Sequence, residues 1–222
     1  MPYHLNFGFV WLHFDRLLSG LALSLSMAAL AIAIGVAIGL ALAVAHVSGS
    51  KATRAAISAY VEIFRNVPLL LLVYFVFYGI PTEFDIRYGA TASFVATLAI
   101  YAGAYLVEVF RAGLAAVPMG LIEAGKAIGL TPWQRLLHVR LPTMLRISLP
   151  ALGNTFVSLF KDTSVAAVIA VPELTFGAQW INLNSFRVVE VFSVITLMYL
   201  GTGYAMLRLM RLVERRFSVN RT

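Results

Sequence analysis

Long apolar runs separated by short polar ones dominate this chain. Apolar residues prevail from Leu17 to Ala45, from about Ala55 to Gly79, from Thr91 to about Val117, from Ile147 to Phe160 and from about Val188 to Leu207. A hydrocarbon layer of about 30 Å takes roughly 20 helical residues at ~1.5 Å each, so these runs predict an all-α, polytopic membrane protein of about five transmembrane helices. The first is rich in Ala, Gly and Ser, which let membrane helices pack closely; its Gly35-Val-Ala-Ile-Gly39 matches a close-packing motif that is weak where small residues abound. Pro68 interrupts the second run, frees a backbone carbonyl and predicts a kink. The fourth run meets the polar cluster Lys161-Asp162-Thr163-Ser164, and Val165 to Val171 reads as its continuation or as a re-entrant turn closed by Pro172.

Between the third and fourth runs lies a polar island. Pro118 ends the third helix, and a short helix follows from about Met119 to Ile128 with Glu123 toward its positive end. Gly129 stops it. Thr131-Pro132-Trp133-Gln134 restarts the chain, with Thr as N-cap, Pro at the first helical position and Gln completing a capping box. Leu141-Pro142 is expected to end this second piece. Both helices are too short to span, so the pair should lie on the membrane surface with Lys126, Arg135 and Arg140 exposed. Ala124 and Gly125 would let another backbone come close.

Glu123-Ala124-Gly125, then Gly129, then Val139-x-Leu141-Pro142 closely resembles the EAA loop of ABC importer permeases, whose pattern is Glu-Ala-Ala, Gly four residues on, then Ile-x-Leu-Pro. Gly125 for Ala and Val139 for Ile depart from it conservatively in size. Tyr60-Val-Glu-Ile-Phe-Arg-Asn-Val-Pro-Leu-Leu70 and Phe160-Lys-Asp-Thr-Ser-Val165 resemble further signatures of the polar amino-acid uptake branch, so the likeness covers nearly the whole chain. It implies one transmembrane permease domain over 1–222, with the loop of about 118–142 coupling to a cytoplasmic ATPase through Glu123, Ala124, Gly125, Gly129, Leu141 and Pro142. It also implies an extracytoplasmic solute-binding protein, a second permease chain (identical or similar), and a polar amino acid as substrate. ATP and Mg would be used by the ATPase partner, with no cofactor in this chain.

Composition agrees with a membrane protein: 60% hydrophobic and 12% charged residues, where a soluble domain carries about 25% charged. The absence of cysteine removes disulfides, Fe–S clusters and thiolate catalysis. A net charge of +7 raises nucleic acid as a partner, but the charges sit at helix ends and form no basic stripe interleaved with stacking aromatics, which argues against it. Instead, loops 46–54 and 111–146 and the tail Arg208, Arg211, Arg215 and Arg216 gather on one side of five spans. By the positive-inside rule that side is the cytoplasm, leaving the N-terminus outside and the C-terminus inside the cytoplasmic (inner) membrane. His4, His13, His46 and His138 are scattered without metal-ligand spacing, no catalytic constellation occurs, and no Walker sequence is present.

The substrate pathway has few candidates. Glu62 and Arg65 stand three apart on one helix face. A charge near the bilayer centre costs roughly 2.5–3.5 kcal/mol on insertion scales, so they should face protein or water. An ion pair near the cytoplasmic end and a direct substrate contact both account for them. Glu108 and Arg111 repeat the pattern, which makes a cross-helix pair possible. Asp162 is the preferred acid: counted from Ile147 it lies beyond the midplane on the outer side, beside Thr163 and Ser164, where a carboxylate can hold an incoming ammonium group. Lys161 could meet the substrate carboxylate, though adjacent helical positions point about 100° apart. A helix-terminating or inter-subunit role for Lys161 and Asp162 remains open, as do a permease for another small solute and an independent carrier or channel.

Overall fold

The structure, a computed structural model, describes residues 3–85 and 87–217; the ends of the predicted 1–222 domain and Ile86 lie outside the described residues. Among the described residues the chain forms helices and no strands. A short α1 (Gly8–Leu12) leads into α2 (Phe14–Ser48). Next come α3 (Lys51–Asn66) and α4 (Leu69–Phe84), bent by 102°. They are followed by α5 (Ala90–Ala115), α6 (Met119–Ala127), α7 (Pro132–Ile169), α8 (Leu174–Ser185) and α9 (Val188–Phe217). Three helices, α2, α5 and α9, are by themselves long and apolar enough to cross a membrane, and the bent pairs α3/α4 and α7/α8 raise the count to five.

The core is the seam between α2 and α5. A Cβ on Gly35 would stand 2.7 Å from the Cβ of Ala102, and one on Gly39 2.7 Å from that of Leu106, so here glycine is needed for close approach. In lipid, where burial from water cannot drive helices together, such close backbone packing supplies much of the attraction. Residues 35 and 39 meeting 102 and 106 in the same order also makes α2 and α5 parallel, so the intervening α3 and α4 carry the chain back across once. Against α7, α9 runs antiparallel: Gly153 meets Met210, Val157 meets Gly203, and Phe160 packs on Tyr199 at 5.5 Å between rings.

Several predicted boundaries move. The second run is not one kinked helix: Val67 is extended (φ −95°, ψ 129°) because Pro68 excludes the helical region for the residue before it, and the chain turns sharply. His46 belongs to α2, leaving only Gly49 and Ser50 between α2 and α3. Leu141-Pro142 does not end a helix. A π-type turn over Leu136–Arg140 widens the spiral just before Pro142, and α7 continues from the surface piece into the membrane, so the apolar run from Ile147 does not begin a new helix. The polar stretch after Pro172 with Gln179, Asn182 and Asn184 is helix α8, capped by Glu173. Finally, α9 runs on through the tail arginines to Phe217.

Candidate functional site

The surface pair is built as its residues dictate. Leu130 N donates to Gly125 O and Gly129 N to Lys126 O, both at 3.0 Å, closing a Schellman motif whose left-handed position is Gly129, φ +83°. Thr131 N then donates to Gln134 Oε1 (2.9 Å) while Gln134 N donates to Thr131 Oγ1 (3.3 Å), the reciprocal capping box that starts α7. Gly125 is buried against the Arg135 stem and Leu130, so it closes the bend rather than facing outward. Glu123, Ala124 and Lys126 are exposed, and around them Met119, Ile128 and Trp133 expose more than half their surface. Leu141 packs against the main core, whereas Pro142 is exposed. The result is a surface unit with an uncovered apolar face.

A second feature lies between α5 and α7. A cavity of about 380 Å³ is lined by Tyr101 and Tyr105 from α5 and by Asn154, Thr155, Ser158 and Asp162, with Leu159, from α7. Tyr101 Oη donates to Tyr105 Oη at 3.0 Å. Half-buried Asp162 has no hydrogen bond or ion pair with any described residue, so its oxygens are free for a ligand. Its neighbours in sequence go elsewhere: Lys161 is exposed, Thr163 is fully buried and donates to Phe160 O at 2.6 Å, and half-buried Ser164 is not part of the lining. Glu62 is exposed. Arg65 reaches Glu108 at 4.0 Å and lies 5.3 Å from the Tyr105 ring centre, while Arg111 holds Glu108 at 2.7 Å. The acid-base pairs of the two helices therefore meet through Arg65 and Glu108, and Glu62 is left out of the network.

Tyr101 and Tyr105 escaped sequence reasoning, although two tyrosines four apart in an apolar span carry a signal: their hydroxyls need polar partners. Glu173 escaped it as well. It is fully buried, caps α8 by accepting from Thr175 N (3.0 Å) and Phe176 N (2.9 Å), and receives Ser24 Oγ and Tyr199 Oη at 3.2 Å. Glu190, buried at the start of α9, accepts from Tyr3 Oη, from Asn6 N at 2.8 Å and from Arg187 at 3.4 Å, tying the N-terminal segment down.

Up to five candidate spans, a polar cavity between two of them and a surface helix pair with an uncovered apolar face fit the membrane-embedded subunit of a transporter. Residues 35–219 match the binding-protein-dependent transport system inner membrane components, and the chain belongs to that family. The glutamine transport system permease protein GlnP of Escherichia coli K12 is 35% identical over 161 residues, covering 72% of this chain and 74% of that protein. A probable glutamine ABC transporter permease of Bacillus subtilis is 38% identical over 169 residues, covering 75% of each. The octopine transport system permease protein OccM of Rhizobium radiobacter is 34% identical over 214 residues, 93% of this chain and 87% of that one. Among solved structures, an amino acid ABC transporter crystallised with histidines superposes with a TM-score of 0.89 at 31% identity, covering 96% of this chain and all of the other. This protein is thus an ABC transporter permease subunit, a multi-pass inner-membrane transport component rather than an enzyme, with ATP used by a separate ATPase.

Proposed function

We propose that this permease imports a polar amino acid across the inner membrane, with the cavity at Asp162 as the substrate site and the 118–142 loop as the contact that carries ATPase motion into the spans. The cavity is the observation that carries the reading: its volume falls within the 300–1,000 Å³ usual for small-molecule sites, and its lining matches a zwitterion's needs. Free Asp162 meets the ammonium group, while Asn154, Thr155, Ser158 and the tyrosine hydroxyls offer hydrogen bonds to polar substrate groups. The amino-acid transporters among its relatives support the same class of solute.

In this reading the chain acts as one transmembrane domain. Glu123, Ala124, Gly125, Gly129, Leu141 and Pro142 form or brace the docking unit for the ATPase. The exposed face of Glu123, Ala124, Ile128 and Trp133 supports that role. The cavity is lined from α5 and α7 alone, which suits a second permease chain completing it. An extracytoplasmic binding protein delivers the solute from outside. Lys161, Thr163, Ser164, Glu62 and Arg65 take secondary places: Arg65 braces Tyr105, and Thr163 fixes the helix beneath Asp162.

Uptake of labelled amino acids by the complete complex tests this directly. Asp162→Asn removes the charge at nearly constant volume and should raise the half-saturating concentration about tenfold or more, the effect of losing one charge-assisted hydrogen bond, while the complex assembles and hydrolyses ATP. Unchanged uptake of every amino acid would exclude Asp162 from recognition.

A further inference from the structure

We propose a second solute subsite at the inner end of the same pathway, a carboxylate site formed by Arg140 and Arg111, which receives the amino acid after it leaves Asp162. The proposal rests on the amino-acid import reading and adds a station to it. Its basis is a second cavity of about 380 Å³, lined by His46 and Val47 from the end of α2, by Glu108, Arg111 and their neighbours from α5, and by Arg140 from the π-type turn of α7.

Charge and position both point to this use. Glu108 already serves two guanidinium groups, Arg111 at 2.7 Å and Arg65 at 4.0 Å, so it cannot also neutralise Arg140. Arg140 forms no ion pair with any described residue, and its Nε is shut off from solvent with no acceptor. A donor left in that condition is costly, and an incoming oxyanion relieves the excess positive charge around it. The outer cavity has the opposite polarity, with Asp162 as its charged lining residue. A zwitterion would therefore be held first by its ammonium end and then by its carboxylate.

The two cavities lie along one helix face. Tyr101, Tyr105, Glu108 and Ala112 recur at steps of four, three and four on α5; the first two line the outer cavity and the last two the inner one. The stretch from Tyr101 to Ala112 rises about 16 Å. Arg65 bridges the gap, touching the Tyr105 ring on one side and Glu108 on the other. Because the inner cavity is lined by the end of α5 and the π-type turn of α7, the segments flanking the surface helices, its occupancy should be felt by the ATPase cycle. Solute accumulating inside would hold the site filled and slow further import.

The test uses the complete complex with its ATPase and binding protein in phosphatidylcholine proteoliposomes, with ATP in the lumen on the cytoplasmic face. Uptake of a labelled amino acid that it imports is measured with the lumen holding the same unlabelled amino acid, its carboxamide, or inorganic phosphate. The lumenal amino acid should slow uptake, whereas the carboxamide and phosphate should not. Arg140→Gln should raise the half-inhibitory lumenal concentration about tenfold or more and leave the outer half-saturating concentration unchanged. Arg140→Lys keeps the charge but loses the planar fork, and should fall between.

Equal inhibition by acid and carboxamide would overturn the proposal, and that comparison needs no variant. So would equal inhibition by phosphate, which would identify a free-oxyanion site. Inhibition that appears only when phosphatidylglycerol is added to the vesicles would assign the cavity to a lipid headgroup and overturn it too. Uptake insensitive to lumenal amino acid sinks this subsite alone; failure to import any amino acid sinks the import reading, and this inference with it.

Discussion

Glu173 shows how much one buried side chain can hold together in this protein. Its carboxylate accepts from two backbone amides at the start of α8 and from hydroxyls on α2 and α9, so three helices converge on it. Gly20 lets the helices come that close, since a Cβ there would lie 2.8 Å from the Glu173 backbone. Glu173→Ala removes an N-cap, worth about 1 kcal/mol, and strands buried donors at roughly 1–3 kcal/mol each. We expect a loss of about 3 kcal/mol or more, read as a clearly lowered melting temperature of the detergent-purified complex. Glu173→Gln keeps one acceptor oxygen and should lose less. An alanine variant melting like the parent would show that α8 is held by its apolar contacts alone. Nothing local in the sequence marks this residue as buried; Pro172-Glu173 before an apolar run hints only at a helix cap, and its partners Ser24 and Tyr199 are 149 and 26 residues away.

Helix elements were legible where local chemistry decides and illegible where tertiary packing does. Gly129, Thr131 and Gln134 form the predicted stop and restart because each bond lies within six residues. The apolar runs located the spans for a similar reason: lipid requires each crossing to satisfy its own backbone. Helix ends were misplaced in both directions. Arginine does not break a helix, so α9 continues past its charges, and Pro142 is accommodated by the wider turn before it rather than ending α7. Conversely, Pro68 broke what had been read as a kink, because α3 is free to turn along α2 and α5 through Ile57 and Val61. The docking unit yields a test at this scale. Nothing lies within 4 Å of a Cβ on Gly129, so Gly129→Asp meets no clash and pays only left-handed strain of about 1–2 kcal/mol. The permease should insert and assemble, while substrate-driven ATP hydrolysis and uptake fall about tenfold or more through a distorted, newly acidic docking face. Normal uptake by an inserted variant would remove the loop from its assigned role.

At the scale of the whole molecule, helix direction and charge combine into a prediction about orientation. Parallel α2 and α5, with α7 antiparallel to α9, are what five alternating crossings produce, and they place the start of α2 and the end of α9 on opposite faces. The arginines decide which face is which. Arg208, Arg211, Arg215 and Arg216 at the end of α9 lie on the same side as Lys126, Arg135 and Arg140 of the surface pair and Lys51 and Arg54 after α2, whereas the end of α4 and the segment joining it to α5 carry Glu83, Asp85 and Arg87. By the positive-inside rule we expect the first side to be cytoplasmic and the N-terminus external. Because the chain has no cysteine, single substitutions can report this without background. Asp85→Cys, at an exposed left-handed turn, should react with a membrane-impermeant maleimide in intact cells; Leu130→Cys, in the bend of the surface pair, should react only after the membrane is opened. Labelling of position 130 but not 85 in intact cells would invert the protein, put the docking unit on the wrong side for a cytoplasmic ATPase, and sink the coupling role with it.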